Sequence, residues 1–127
     1  MNEIVKVIQD AQLYIVSAYH SPNIINLIKI LDLEKNVHFI SFTYNISEYY
    51  LNSSVLIVPS VSESFPMVMN EGKAHGLPVV AFNIDYSPSF QKGVITVDMF
   101  DYKAMANEVI KLLNDYNYRK KKLWKLN

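Results

Sequence analysis

Short apolar runs alternate with helix-spaced stretches along most of this chain. Leu13–Ser17, Val37–Ser41, Val55–Pro59, Pro78–Phe82 and Val94–Val97 are the runs, several of them continuous and β-branched. Strands read this way when both faces of a parallel sheet are covered, because neither face then calls for polar side chains. Between them, Asn23–Leu33 sets Ile24, Leu27, Ile28 and Leu31 on one stripe, and Tyr102–Leu113 does the same with Met105, Val109, Leu112 and Leu113. Ile46–Leu51 is a shorter helix. Pro66–His75 is another, stopped by Gly76 and the Leu77-Pro78 step. The opening residues fit two patterns. Ile4, Val7, Ile8 and Ala11 predict a helix over Glu3–Gln12, although Ile4–Ile8 is β-branched enough for a strand. Strands alternating with helices predict βαβ units, hence an α/β domain with a Rossmann-like parallel sheet of about five strands flanked by helices.

Composition narrows the class. With 127 residues, half of them apolar, the chain is expected to be one domain, 1–127, with a real core. Twelve basic residues against 12 acidic ones leave no excess for phosphate backbones, so no nucleic-acid partner is expected. The absence of cysteine removes disulfides, thiolate metal sites and thiol nucleophiles together, and fits a reducing compartment. Met1–Gln12 has no apolar run of signal-peptide length, and no stretch approaches the ~18 apolar residues of a membrane span. A cytoplasmic protein is expected. Asn, Ile, Lys and Tyr make up 45 residues, and Lys outnumbers Arg 11 to 1. Their codons are AT-rich, so the individual Asn and Tyr residues carry little weight.

The tail, 116–127, gathers Arg119, Lys120, Lys121, Lys122 and Lys125 beside Tyr118, Leu123, Trp124 and Leu126. It reads as a basic C-terminal helix whose Trp and Leu pack on the domain or on a missing neighbour. The same pattern also admits weak contact with anionic lipid, at the inner face of a membrane.

Chemistry concentrates between Pro59 and Ala81. There a strand enters a polar turn and a helix begins near Pro66, proline suiting a first helical position. Open α/β sheets bind ligands at this kind of junction, beyond the carboxyl ends of their strands. Free N–H groups around Phe65, Pro66, Met67 and Val68 favour an anion such as a phosphate. Glu71, inside the helix, suits the two hydroxyls of a ribose, and Glu63, in the loop, faces whatever is attached beyond the phosphates. His75 ends the helix, where a cation suits the dipole, and Lys73 reads as a surface residue. His20 and His38 have no acidic neighbour at ligand spacing, so neither a metal nor another cofactor is expected.

Glu63 and Glu71 hold a Glu-x7-Glu spacing within a frame of Pro59, Ser60, Phe65, Gly76, Pro78, Val79 and Val80. That frame resembles the second domain of the retaining glycosyltransferases of the GT-B fold (family 4, group 1 type). Asn36–Ser41 resembles another strand of the same domain, with Ser41 where glycine is usual. Ser64 and Pro66 also replace glycines, and Gly72 replaces alanine. The resemblance implies the C-terminal, donor-binding half of such an enzyme. Glu63 is then its catalytic residue, orienting the transferred sugar, and Glu71 binds the ribose. Phe65, Pro66, Met67 and Val68 meet the diphosphate, while Ser41, Phe42 and Thr43 border the base.

The implied donor is a nucleotide diphosphate-sugar, the acceptor a glycan or lipid, and the chemistry metal-free. An N-terminal acceptor domain is expected to be missing or to lie on a separate chain, leaving this stretch inactive by itself. The alternative is a non-catalytic nucleotide-sugar-binding or partner subunit of a split glycosyltransferase. The strand that opens such a domain, central in the doubly wound order, does not precede Asn2. The gap is expected to close by pairing Leu13–Ser17 with Val55–Pro59, by a homodimer sharing strands, or by using Ile4–Ile8. A flavodoxin-like regulatory domain fits poorly, because Asp98 ends the last strand and not the first.

Overall fold

The computed structural model describes residues 1–17, 21–41, 45–59, 67–84 and 93–122. It is α/β, with parallel ladders flanked by helices, and divides into two compact units, residues 1–46 and 47–127. The five strands fall where the apolar runs predict them, but in two ladders.

In the first unit α1 (Asn2–Val7) leads to β1 (Leu13–Val16), α2 (Pro22–Ile30) and β2 (Val37–Ile40). β1 and β2 are parallel, with Leu13 opposite Val37 and Val16 opposite Ile40. The N-terminal stretch is therefore helical, and Ile4–Ile8 does not serve as a strand. The helix stops at Val7, short of the expected Gln12, for an identifiable reason. The buried amide of Asn36 donates to the main-chain oxygens of both Gln9 and Ala11, at 2.9 Å each, and so holds the chain in a turn. α2 ends with Asp32 in the left-handed region (φ 55°). The N–H of Leu33 bonds the Ile28 oxygen and that of Asp32 the Lys29 oxygen, a Schellman closure that buries Leu33. The helical stripe expected to be buried is not. Ile24, Leu27 and Leu31 are exposed, because a two-stranded ladder covers little of the helix.

The second unit contains α3 (Ile46–Leu51) from its second residue on, then β3 (Leu56–Val58), α4 (Met67–Ala74), β4 (Val79–Phe82), β5 (Val94–Val97), α5 (Tyr102–Asn114) and α6 (Tyr116–Lys121). Its ladder runs β3-β4-β5, all parallel. The expected pairing of Leu13–Ser17 with Val55–Pro59 is not among the described ladders. β4 is central and every one of its residues is buried, as a continuous Val-Val-Ala-Phe run requires. Val58, Met69, Val79 and Ala81 form one side of the core, with Leu56, Ile84 and Val94 packed against them. The Phe82 ring meets Tyr102 edge-on at 5.4 Å. α5 is capped by Asp101, whose side chain accepts from the Ala104 N–H at 2.9 Å, and buries Met105, Ala106, Val109 and Leu112.

The described part of the tail turns back on α5. Tyr118 donates to Glu108 at 2.8 Å, Arg119 donates to the Leu112 oxygen at 3.0 Å, and Lys111 lies 4.1 Å from the centre of the Tyr118 ring. Trp124 and its neighbours lie outside the described residues. Among the described residues no helix is long and apolar enough to cross a membrane.

Candidate functional site

α4 supplies three of the sequence-predicted site residues, Met67, Val68 and Glu71. Its inward face is Met69, Gly72 and Lys73, spaced three and four residues apart as one helical stripe. Gly72 lets the helix lie close on β3: a Cβ there would come 2.5 Å from Leu56 Cδ2. Lys73, expected at the surface, is buried instead, because it shares the stripe with Met69. Burial lowers its pKa, the charged form being the one that loses water. The helix then ends in a Schellman closure. The N–H of Leu77 bonds the Gly72 oxygen and that of Gly76 the Lys73 oxygen, both at 3.0 Å, with Gly76 left-handed at φ 79°. Pro78 follows and prevents the helix from continuing.

Glu71 stands outside that stripe and is exposed. Its Oε2 accepts a hydrogen bond of 3.0 Å from the hydroxyl of Tyr50, on α3. Tyr50 is buried, with 9% of its surface accessible. Its pKa is pushed up to about 12, first by burial and then by the hydrogen bond and charge of Glu71, so the hydroxyl stays a donor. The ring stacks on His75 at 4.9 Å between centroids and 25° between planes. His75 is fixed at both nitrogens. Nδ1 lies 2.6 Å from the main-chain oxygen of Glu71, which only accepts, so Nδ1 carries the hydrogen. Nε2 lies 2.9 Å from Ser47 Oγ and forms a second hydrogen bond with that hydroxyl. Expected only to complement a helix dipole, His75 instead fastens α3 to the end of α4.

The other predicted residues are distributed as follows. Met67 and Val68 form the first described turn of α4 and are both exposed, with their main-chain N–H groups at the helix start. Ser41 is exposed at the end of β2, in the first unit. Glu63, Phe65, Pro66, Phe42 and Thr43 lie outside the described residues. No group of three or more metal-ligating side chains comes together among the described residues. Sequence reasoning missed Tyr50 and Ser47, which carry no motif of their own.

A family model described as "Glycosyl transferases group 1" matches residues 1–115. The chain belongs to that family. A curated glycosyltransferase of Haemophilus influenzae is 46% identical over 67 residues, which are 53% of this chain and 19% of that protein. The amylovoran biosynthesis glycosyltransferase AmsD of Erwinia amylovora is 39% identical over 62 residues, 49% of this chain and 18% of its own. The chain thus spans about a fifth of the length of these group 1 relatives. Among solved structures, S. aureus TarM in complex with fondaparinux, α-GlcNAc-glycerol and UDP aligns with a TM-score of 0.86 at 22% identity. That alignment covers 95% of this chain and 26% of TarM. Such likeness establishes the fold, one shared with GT-B glycosyltransferases.

Proposed function

We propose that this stretch is the donor-binding part of a retaining, family 4 glycosyltransferase that takes a hexosyl group from a nucleotide diphosphate-sugar. One observation carries the reading. Glu71 is an exposed carboxylate with one oxygen anchored by Tyr50, while Oε1 accepts no hydrogen bond from a described residue. A carboxylate so held suits a pair of vicinal hydroxyls. In the proposed arrangement Glu71 takes the ribose, the stretch Phe65, Pro66, Met67 and Val68 meets the diphosphate, and Glu63 orients the sugar. Family membership supports a transferase. The complex of TarM with UDP supports a nucleotide donor, and the amylovoran in the name of AmsD supports the glycan among the two expected acceptors, glycan or lipid. The acceptor site belongs to an N-terminal domain, on the same or another chain, and no metal takes part.

Calorimetry with UDP, GDP and ADP tests the donor site. One of the three is expected to bind, and Glu71→Ala to weaken it at least tenfold, the scale of a lost charge-assisted hydrogen bond. Silence from all three in the unsubstituted chain would sink the reading. Incubation with nucleotide-sugars and acceptors is expected to give no robust transfer by these residues alone, and rapid turnover would remove the need for an acceptor domain.

A further inference from the structure

We propose that Tyr50 is a positioning residue for the donor, holding Glu71 in the rotamer that presents its second oxygen to the ribose hydroxyls. This rests on the donor-site reading above. The geometry comes from three attachments, all running between α3 and the α4 end. The hydroxyl of Tyr50 reaches Glu71 Oε2 at 3.0 Å, across 21 positions of sequence. Its ring is buried and stacked on His75, which removes the freedom of the ring to swing. His75 is in turn held at one nitrogen by the Glu71 main-chain oxygen and at the other by Ser47, so the ring that steadies Tyr50 is steadied from both helices. A glutamate on the exposed side of a helix normally samples several rotamers, and binding must then freeze them. Here the freezing is done before any ligand arrives. A hydroxyl that donates to Oε2 takes one of that oxygen's two acceptor sites and holds the carboxylate plane, which biases the direction of approach of a diol.

The charged and titratable groups facing this cluster from its two helices are Glu71 and His75 on α4 and its C-cap, and Tyr50 on α3. Since Tyr50 ionises only near pH 12, its hydroxyl stays a donor through the neutral range. What it controls is discrimination by the sugar of the nucleotide, with the phosphate contribution left intact.

The test uses the whole 127-residue chain, with UDP, GDP and ADP and the 2′,3′-dideoxy form of whichever binds tightest. The unsubstituted chain is expected to prefer the ribose form. Tyr50→Phe, which keeps the buried ring and its stacking, is expected to lower affinity for the ribose form about tenfold and to leave the dideoxy form nearly unchanged. Ser47→Ala is expected to produce a smaller loss of the same preference. Should Tyr50→Phe fail to fold, the unsubstituted chain labelled with ¹³C in its tyrosine rings gives a second readout. The ribose nucleotide is expected to shift the Tyr50 resonance, and the dideoxy nucleotide to leave it in place. Retained preference in a folded Tyr50→Phe, or an equal loss for both nucleotides, overturns the role of Tyr50 while the donor site stands. Failure of the unsubstituted chain to bind any of the three nucleotides overturns both.

Discussion

The two compact units are written in the same local language, strand then helix then strand, yet they bury their apolar residues very differently. In residues 47–127 the central strand β4 has a hydrogen-bonded neighbour on each side, and all four of its residues are buried. Among the described residues of 1–46 no strand has two neighbours, neither β1 nor β2 is buried throughout, and α2 buries none of its residues. An amphipathic stripe therefore specifies a helix without guaranteeing that anything covers it. Polar detail holds the first unit where apolar packing is thin: Asn36 ties down two main-chain oxygens, and a ring stack joins Tyr14 to His38, which also bonds Gln12.

Stability measurements can break or sharpen that contrast. The largest effect is expected from Phe82→Ala, which empties a fully buried ring site beside Tyr102 and should cost about 3–5 kcal/mol in urea unfolding. Asn36→Ala comes next in the first unit. It leaves two carbonyl oxygens without their donor, at a cost of about 1–3 kcal/mol. A value near zero would show that the polar anchor is not what holds that unit.

The third effect depends on pH. Tyr50 keeps its proton up to about pH 12 when folded, whereas the unfolded chain loses it near 10.0. Between those values the native state binds the extra proton, so stability falls as pH rises through the window. An ultraviolet titration should show Tyr50 among the late tyrosines, with Tyr118 also raised by burial and by Glu108, and Tyr50→Phe should remove its share of the alkaline loss. The two Schellman closures offer a matched pair. Gly76→Ala should cost ~1 kcal/mol, and Asp32→Gly should gain a similar or smaller amount, since both positions are left-handed and glycine alone takes that region freely. The smallest effect is expected from Leu27→Ala on the bare face of α2, within about 0.5 kcal/mol. A cost approaching that of Phe82→Ala would mean this face is covered in solution, and the contrast between the units would collapse.

Much of the fold was legible. The strands were marked by short β-branched runs, and β5 begins and ends at Val94 and Val97 as read. The stop of α4 was legible because Gly76, Leu77 and Pro78 each meet a local stereochemical demand. What escaped was long-range polar chemistry. Discounting Asn and Tyr as a codon bias was sound for the set and wrong for two members, Asn36 and Tyr50, whose partners lie 21 to 27 positions away. Lys73 was misjudged differently. Its spacing from Met69 already placed it on the inward stripe, but its charge suggested the surface.

From its order of residues alone this protein determined its element types, its parallel α/β class and the family to which Glu71 and its surrounding frame belong. Those depend on backbone stereochemistry and on side-chain period, which act over a few residues. Only the tertiary structure decided which stripes are covered, which lysine is buried and which hydroxyl holds the carboxylate. These depend on the partner that another element brings within about 3 Å, the range over which hydrogen bonds act, and no local pattern records that distance.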